Sequence, residues 1–381
     1  MSDLKYRKVA RTIIKAGFLP FPINDTMIQL LKMLIDEEQL DFILNFSRKK
    51  SQTMEELKLR SKMSESEIKS HVQKLAKKGV IFNQPNSKGI MVYRLMPLVM
   101  NGAFEYTFMK KIEFNEENKL LADLFKKLFD ELTEFVQDNY DMILQLFQNM
   151  PPFDRTIPFL DKNIEGETVE IDVNQEIELP EEKIMTSQNV EEIINKFNDI
   201  AVGYCFCRNH QDLLLSPCKQ TDIKENCFTF GKSARYVAEQ GFGRLISKEE
   251  AYEIIKASKK DGLVHKAWHP NLDISKPETS ICNCCKCCCG TFDLWRSGTT
   301  PMINFTNYLA QIDINKCVGC GTCMEKCPVD AIEGNDNNKA VVNQDWCIGC
   351  GSCAYFCPEN AISLLECPRK VFVPPPRLRN K

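Results

Sequence analysis

The chain has 381 residues, 43% of them hydrophobic and 27% charged, with a net charge of −3. That length predicts two to three domains of ordinary globular composition. The near-neutral charge excludes a global pull toward nucleic acid or an anionic membrane, so any basic surface must be local.

All nineteen cysteines follow residue 204. The N-terminal MSDLKYRK is polar, without a signal core or twin arginine, and no apolar run approaches the roughly 20 residues of a membrane span. Clustered cysteines in such a chain predict metal ligation in a reducing cytoplasm rather than disulfides. An anaerobic source is expected, because exposed thiolate–iron sites are oxygen-sensitive.

Residues 1–24 read as an arm or short helix with Val9, Ile13, Ile14 and Phe18, ended by Pro20 and Pro22. Residues 25–112 read as a winged-helix-like domain. Helices are expected at Thr26–Ile35 and near Leu40–Phe46. Thr53 with Glu56 and Ser64 with Glu67 form capping boxes. The second opens a helix with Ile68, Val72 and Leu75 on one face, stopped by Gly79. Val80-Ile81-Phe82 and Ile90-Met91-Val92-Tyr93 read as strands, with Gln84 to Gly89 as a wing between them. Two short helices and a hairpin resemble the winged helix-turn-helix family, which implies DNA binding. Lys69, His71, Lys74, Lys77 and Lys78, with Arg60, Lys62 and Lys88, would supply phosphate contacts. Glu65 and Glu67 share that face, and no side-chain set is placed for bidentate base reading. Protein interaction or internal packing is therefore the first expectation and DNA the alternative.

Residues 113–182 read as one long amphipathic helix over 116–149 and then a connector. Leu121, Phe125, Leu128, Leu132, Phe135 and Tyr140 mark the buried stripe, and Pro151-Pro152 ends it. A strand is possible at Thr168–Val173 within the acidic connector.

Residues 183–300 form a mostly helical, cysteine-rich metal-binding module. Its ligand candidates are Cys205, Cys207, Cys218, Cys227, Cys282, Cys284, Cys285, Cys287, Cys288 and Cys289. Six cysteines in the eight residues 282–289 would repel as thiolates unless a metal neutralised them. One or two further iron–sulfur clusters are expected here. Zinc is the alternative, with His210, His265 and His269 as nearby mixed-ligand candidates, and structural or redox-active thiols are the third reading.

Residues 301–366 carry two matched runs. Cys317, Cys320, Cys323 and Cys327 precede Pro328, and Cys347, Cys350, Cys353 and Cys357 precede Pro358. Both read C-x2-C-x2-C-x3-C-P, the bacterial ferredoxin pattern for a [4Fe–4S] cluster, in which the fourth cysteine ligates the other run's cluster. The expected sets are Cys317, Cys320, Cys323 and Cys357, and Cys347, Cys350, Cys353 and Cys327. Zinc or structural thiols are the competing reading, but zinc sites usually pair two distant C-x2–4-C units. Gly319, Gly321, Gly349 and Gly351 suit a chain that turns tightly around a cluster. Over about residues 308–366 the chain resembles the two-cluster bacterial-type ferredoxins, which implies a small pseudo-symmetric α+β fold passing single electrons. Residues 367–381 form a proline-rich tail with Cys367 outside both ligand sets.

The whole of residues 175–366 also resembles a family from anaerobic bacteria and archaea. These proteins pair a C-x-C-R module ending in an ICNCCxCCC run with a C-terminal two-cluster ferredoxin. The matching residues are Cys205, Cys207, Arg208, Cys218, Cys227, Gly262 to His265, and Ile281 to Cys289. That resemblance implies architecture and electron transfer, not a substrate.

The expectation is an α+β multidomain protein: an N-terminal winged helix, a helical cysteine-rich middle and a two-cluster ferredoxin-like end. Its function is iron–sulfur electron transfer between a redox partner protein and a second metal centre; the alternative is a redox- or metal-responsive DNA-binding regulator. No catalytic residue is identified, whether or not the chain serves an oxidoreductase. Gly241-Phe242-Gly243 lacks the rest of a dinucleotide fingerprint.

Overall fold

Both N-terminal capping boxes form. The Glu56 N–H donates to Thr53 Oγ1 (3.4 Å) while the Thr53 N–H donates to Glu56 Oε2 (3.0 Å), opening a helix over Met54–Ser61. Ser64 and Glu67 do the same for Glu65–Ala76. That helix stops because Gly79 takes φ +71°; a Cβ there would lie 2.6 Å from Tyr106 Cβ. These elements come from a computed structural model that describes residues 2–159, 171–172 and 189–378. The chain divides into two compact units, each assembled from separate stretches of sequence.

The first unit comprises residues 1–138, 201–217 and 232–245. Helices Ser2–Ile14, Asp25–Leu34 and Leu40–Leu44 precede the capped pair. Strands Ile81–Pro85 and Met91–Leu95 pair antiparallel, and Ser51–Thr53, unforeseen in the sequence, adds a third strand beside Met91–Leu95. Phe104 centres the unit's core, with ring centroids 5.0–5.9 Å from Phe108, Phe125, Phe129, Phe206 and His210. The long helix expected over 116–149 is two helices, Glu116–Asp138 and Tyr140–Gln148. The chain leaves helical geometry at Asn139 (φ −119°, ψ 29°), so the second segment starts afresh in the other unit.

The second unit comprises residues 139–200, 218–231 and 246–381. Its sheet runs in the order 171–172, 362–373, 302–312, 154–157, 264–268, 280–284, 225–230. The spine is the antiparallel pair Met302–Ile312 and Ile362–Val373. Two expectations change here. The connector begins with a buried strand, Asp154–Ile157, and the cysteine-rich middle contributes strands Glu225–Phe230, Val264–Trp268 and Ser280–Cys284 rather than being mostly helical. Short apolar runs such as Leu263-Val264-His265 read equally as loops until neighbouring strands satisfy their backbone groups. Buried Arg155 pairs with Glu278 (2.8 Å), which also holds Lys196 (3.3 Å), across this sheet.

Of the possible strand Thr168–Val173, Ile171–Asp172 lies parallel to Leu364–Leu365; the rest of that strand and most of the connector lie outside the described residues. The proline tail folds back on its own unit. The Trp295 indole N–H donates to the Pro374 carbonyl (3.0 Å), the Tyr140 hydroxyl donates to that of Pro375 (2.5 Å), and Arg377 sits 4.4 Å over the Tyr140 ring.

Candidate iron–sulfur and thiolate metal sites

Each ferredoxin run turns through two left-handed glycines into a short helix. Gly319 and Gly321 have φ +75° and +82°, and Gly349 and Gly351 have +62° and +75°. At Gly349 nothing larger fits: a Cβ would lie 2.1 Å from the Tyr308 carbonyl oxygen. The helices Thr322–Lys326 and Ser352–Tyr355 follow. The two halves repeat one another in detail. The Ala331 N–H donates to Cys327 Sγ (3.2 Å), and the Ala361 N–H donates to Cys357 Sγ (3.3 Å). Lys339 caps the Cys317 carbonyl, and Arg369 caps that of Cys347 (2.6 Å).

Two cavities lie at these turns. One, about 400 Å³ including its open mouth, is lined by Cys317, Cys320, Cys323 and Cys357. The other, about 320 Å³ including its open mouth, is lined by Cys327, Cys347, Cys350 and Cys353. Burial pushes the Cys323, Cys327, Cys350 and Cys353 thiols up, away from the thiolate form that ligates iron. A group rich in positive iron reverses that preference, and the backbone N–H donors aimed at sulfur support the charge that remains. Cys320 alone of the eight is exposed; its bond to the Thr322 hydroxyl (3.5 Å) holds its thiol down. The residues therefore fit iron–sulfur clusters. Cys367 lies on the long strand Ile362–Val373 and lines neither cavity.

The central cysteines are arranged differently. Cys218, Cys285, Cys287 and Cys288 bring their four sulfurs within 4.8 Å of one another. Cys218 and Cys287 are 3.5 Å apart, as are Cys287 and Cys288. The Cys288 N–H donates to Cys285 Sγ (3.3 Å). Protons are shared unequally: bonds from Cys285 hold Cys218 far down and Cys287 at about 6, while Cys285 and Cys288 are pushed up. The loop is fixed by Gln220, whose Oε1 accepts from the Lys286 N–H (2.8 Å) and whose Nε2 donates to the Asp261 and Gly262 carbonyls (3.1 and 3.0 Å). Lys286 pairs with Asp330 (2.7 Å), and Arg296 donates to the carbonyls of Lys286 and Pro328. This loop is thus tied to the residues that follow Cys327.

The other four lie elsewhere in the same unit: Cys227 on strand Glu225–Phe230, Cys282 and Cys284 on strand Ser280–Cys284, and Cys289 as the N-cap of helix Gly290–Arg296. Cys205 and Cys207 belong to the first unit, where their thiols hydrogen-bond at the start of helix Phe206–Leu213. That bond, with Arg208 nearby, brings Cys205 down to about 6.

The three histidines are engaged in packing. His210 Nε2 lies 3.0 Å from the Ala122 carbonyl, and burial lowers its pKa to about 4. His265 Nδ1 meets Asn283 Oδ1 at 2.5 Å, and His269 Nδ1 meets the Lys276 carbonyl at 2.7 Å. The compact cysteine group contains no histidine. Sequence reasoning had no signal for Lys266, a buried cation paired with Asp154 (2.6 Å) on the sheet that carries Cys282 and Cys284.

Comparisons with known proteins bear on one region. Residues 310–364 match the family model for a 4Fe-4S dicluster domain. A 36-residue stretch, 9% of the chain, is 43% identical to a probable ferredoxin of Methanosarcina thermophila and spans 62% of that protein. No solved structure matches. Among the described residues no helix is long and apolar enough to cross a membrane. The C-terminal region is thus similar to a 4Fe-4S dicluster domain and, over a shorter stretch, to a ferredoxin.

Proposed function

We propose that the chain moves single electrons through two [4Fe–4S] clusters to or from a second, thiolate-bound metal centre. Cys317, Cys320, Cys323 and Cys357 would hold one cluster, and Cys327, Cys347, Cys350 and Cys353 the other. The observation that carries this reading is the pair of cavities, each lined by three thiols of one run and the fourth of the other. A bound cubane spreads one electron over several irons, and burial and N–H donors to sulfur tune its potential. The chain contributes low solvent access at seven of the eight thiols and fixed donors from Ala331 and Ala361. Exposed Cys320 and neighbouring Val318, 61% exposed, favour this edge as the place where a redox partner protein docks.

For the central group the spacing favours a single thiophilic ion over a cubane. Metal–sulfur bonds of about 2.3 Å in a tetrahedron put sulfurs roughly 3.8 Å apart. Cys218, Cys285, Cys287 and Cys288 suit that, all lying within 4.8 Å. A cubane would interpose its whole iron–sulfur core. Zinc and iron are both suited to four thiolates. The ties from Lys286 and Arg296 to Asp330 and Pro328 favour this group as a neighbour of the second cluster. A reducing cytoplasm suits nineteen unbridged cysteines.

The N-terminal helices and hairpin suit a winged-helix module used for protein contact. DNA binding has less support, because Lys69 and Lys74 are paired with Glu65 and Glu38 and His71 stacks 5.1 Å from Phe42. Anaerobic purification tests the main reading. About eight cluster irons with matching sulfide are expected, plus additional metal in the central module; a content well below eight would end it.

A further inference from the structure

The two ferredoxin halves close with the same turn. Cys327-Pro328-Val329-Asp330-Ala331 and Cys357-Pro358-Glu359-Asn360-Ala361 both read C-P-x-x-A. Asp330 and Asn360 take left-handed backbone, at φ +53° and +47°, which short polar side chains tolerate. Each such residue turns the next N–H back on its cysteine. Ala331 donates to Cys327 Sγ at 3.2 Å, and Ala361 donates to Cys357 Sγ at 3.3 Å. Bonds of this kind favour the more negative, reduced state of a cluster and so raise its potential.

The Cys327 turn is also gripped from outside the ferredoxin runs. Arg296 donates through one terminal guanidinium nitrogen to the Pro328 carbonyl (3.3 Å) and through the other to the Lys286 carbonyl. Lys286 stands between Cys285 and Cys287, and its ammonium pairs with Asp330 (2.7 Å). The two contacts thus fall on the first and third residues after Cys327. They differ in strength. The Lys286–Asp330 pair is well exposed to solvent and holds weakly. Arg296 is half-buried, and its planar fork loses less freedom for each bond it makes. It is also anchored from behind. It ends helix Gly290–Arg296, whose Trp295 is buried, donates to the Pro374 carbonyl (3.0 Å) and packs edge-on at 5.4 Å from Trp346, the residue before Cys347. At its other end the bridge reaches the loop that carries the compact group, where Cys218, Cys285, Cys287 and Cys288 lie within 4.8 Å. A metal ion bound by those thiols would pin the chain on both sides of Lys286.

We infer that Arg296 is a positioning residue that couples the compact thiolate site to one cluster only, the one in the cavity lined by Cys327, Cys347, Cys350 and Cys353. With the thiolate site filled, Arg296 holds the Cys327 turn and its Ala331 donor in place, so the central metal regulates the potential of that cluster and not of its twin. This rests on the reading of both regions as metal centres, and adds the regulation and the residue that transmits it.

The test uses the full chain, purified anaerobically, with metal counted by elemental analysis. Reductive titration followed by electron paramagnetic resonance gives one potential for each cluster, and Cys320→Ser, a change at the other cavity, marks which signal belongs to that cavity. Arg296→Met should lower the reduction equilibrium constant of the Cys327 cluster at least tenfold, about 59 mV for a one-electron couple, and leave the other within about twofold. An equal shift in both clusters, or in neither, overturns the inference. Arg296→Lys keeps the charge but lacks the fork, so it should also lower the constant; a wild-type value would reduce Arg296 to a local charge and remove its positioning role. Because a variant can misfold, hydrogen exchange is compared in the wild type before and after a chelator removes central metal with the cluster irons retained. Exchange should speed at least tenfold in the peptide holding Ala331 and stay unchanged in that holding Ala361. Equal behaviour of the two peptides contradicts the inference. Clusters without central metal in the wild type would remove the metal link alone, whereas a lack of cluster iron would overturn this inference together with the electron-transfer reading.

Discussion

The ferredoxin region and the central cysteine run use the same ligand and space it in opposite ways. In the first, eight thiols ring two cavities. In the second, four sulfurs crowd within 4.8 Å, and the ferredoxin cysteines form no comparable group among the described residues. Tight glycine turns hold the first set apart around a space, while a strand edge and a knuckle-like loop bring the second set together. Ligand spacing, more than ligand identity, then separates a site for a cluster from a site for one ion.

The sharpest way to break this contrast is Cys353→Ser. Cys353 is buried in the second cavity, so the substitution should remove about four of the eight cluster irons and loosen the surrounding fold. Cys287→Ser, in the compact group, should leave all eight in place. If iron and sulfide analysis finds equal cluster loss in both, the two regions are not distinct metal sites.

A second probe concerns acid. His210 is buried with its pKa lowered to about 4, against an ordinary value of 6.5. Between those values the unfolded chain binds the extra proton, so stability should fall as pH drops, by about 3 kcal/mol at pH 4 relative to pH 7. His210→Phe should flatten this part of the profile, while thiolate protonation in the metal sites persists. Thermal melts followed separately by far-UV dichroism and cluster absorbance resolve the two. Melts whose acid dependence is identical in the variant would assign all of it to the metal sites.

Gly349→Ala tests the cavity itself. The new Cβ would meet the Tyr308 carbonyl oxygen at 2.1 Å, on a left-handed backbone. A loss of about 3 kcal/mol is expected, measured as earlier loss of cluster absorbance on titration with denaturant. Wild-type behaviour would mean that the turn is not what shapes the cavity. The smallest effect belongs to Lys286→Gln. Its ion pair with Asp330 is half exposed and should contribute less than about 1 kcal/mol, weakening further in high salt.

The sequence alone singled out the eight ferredoxin cysteines and determined the helix starts at Thr53 and Ser64 and the stop at Gly79. Each of these is a local pattern: fixed spacing, a capping box, or a residue able to take positive φ. The division of the long amphipathic pattern at Asn139 was not legible, because hydrophobic periodicity continues across it. Nor was the strand character of Val264–Trp268 and Ser280–Cys284, because strands are defined by partners distant in the chain. The fate of Cys282 to Cys289 belongs to the same class. In the sequence they are one dense run. Only the tertiary structure gave alternate members to one sheet face and turned the next ones toward Cys218, because parity and pairing exist only once the sheet has formed.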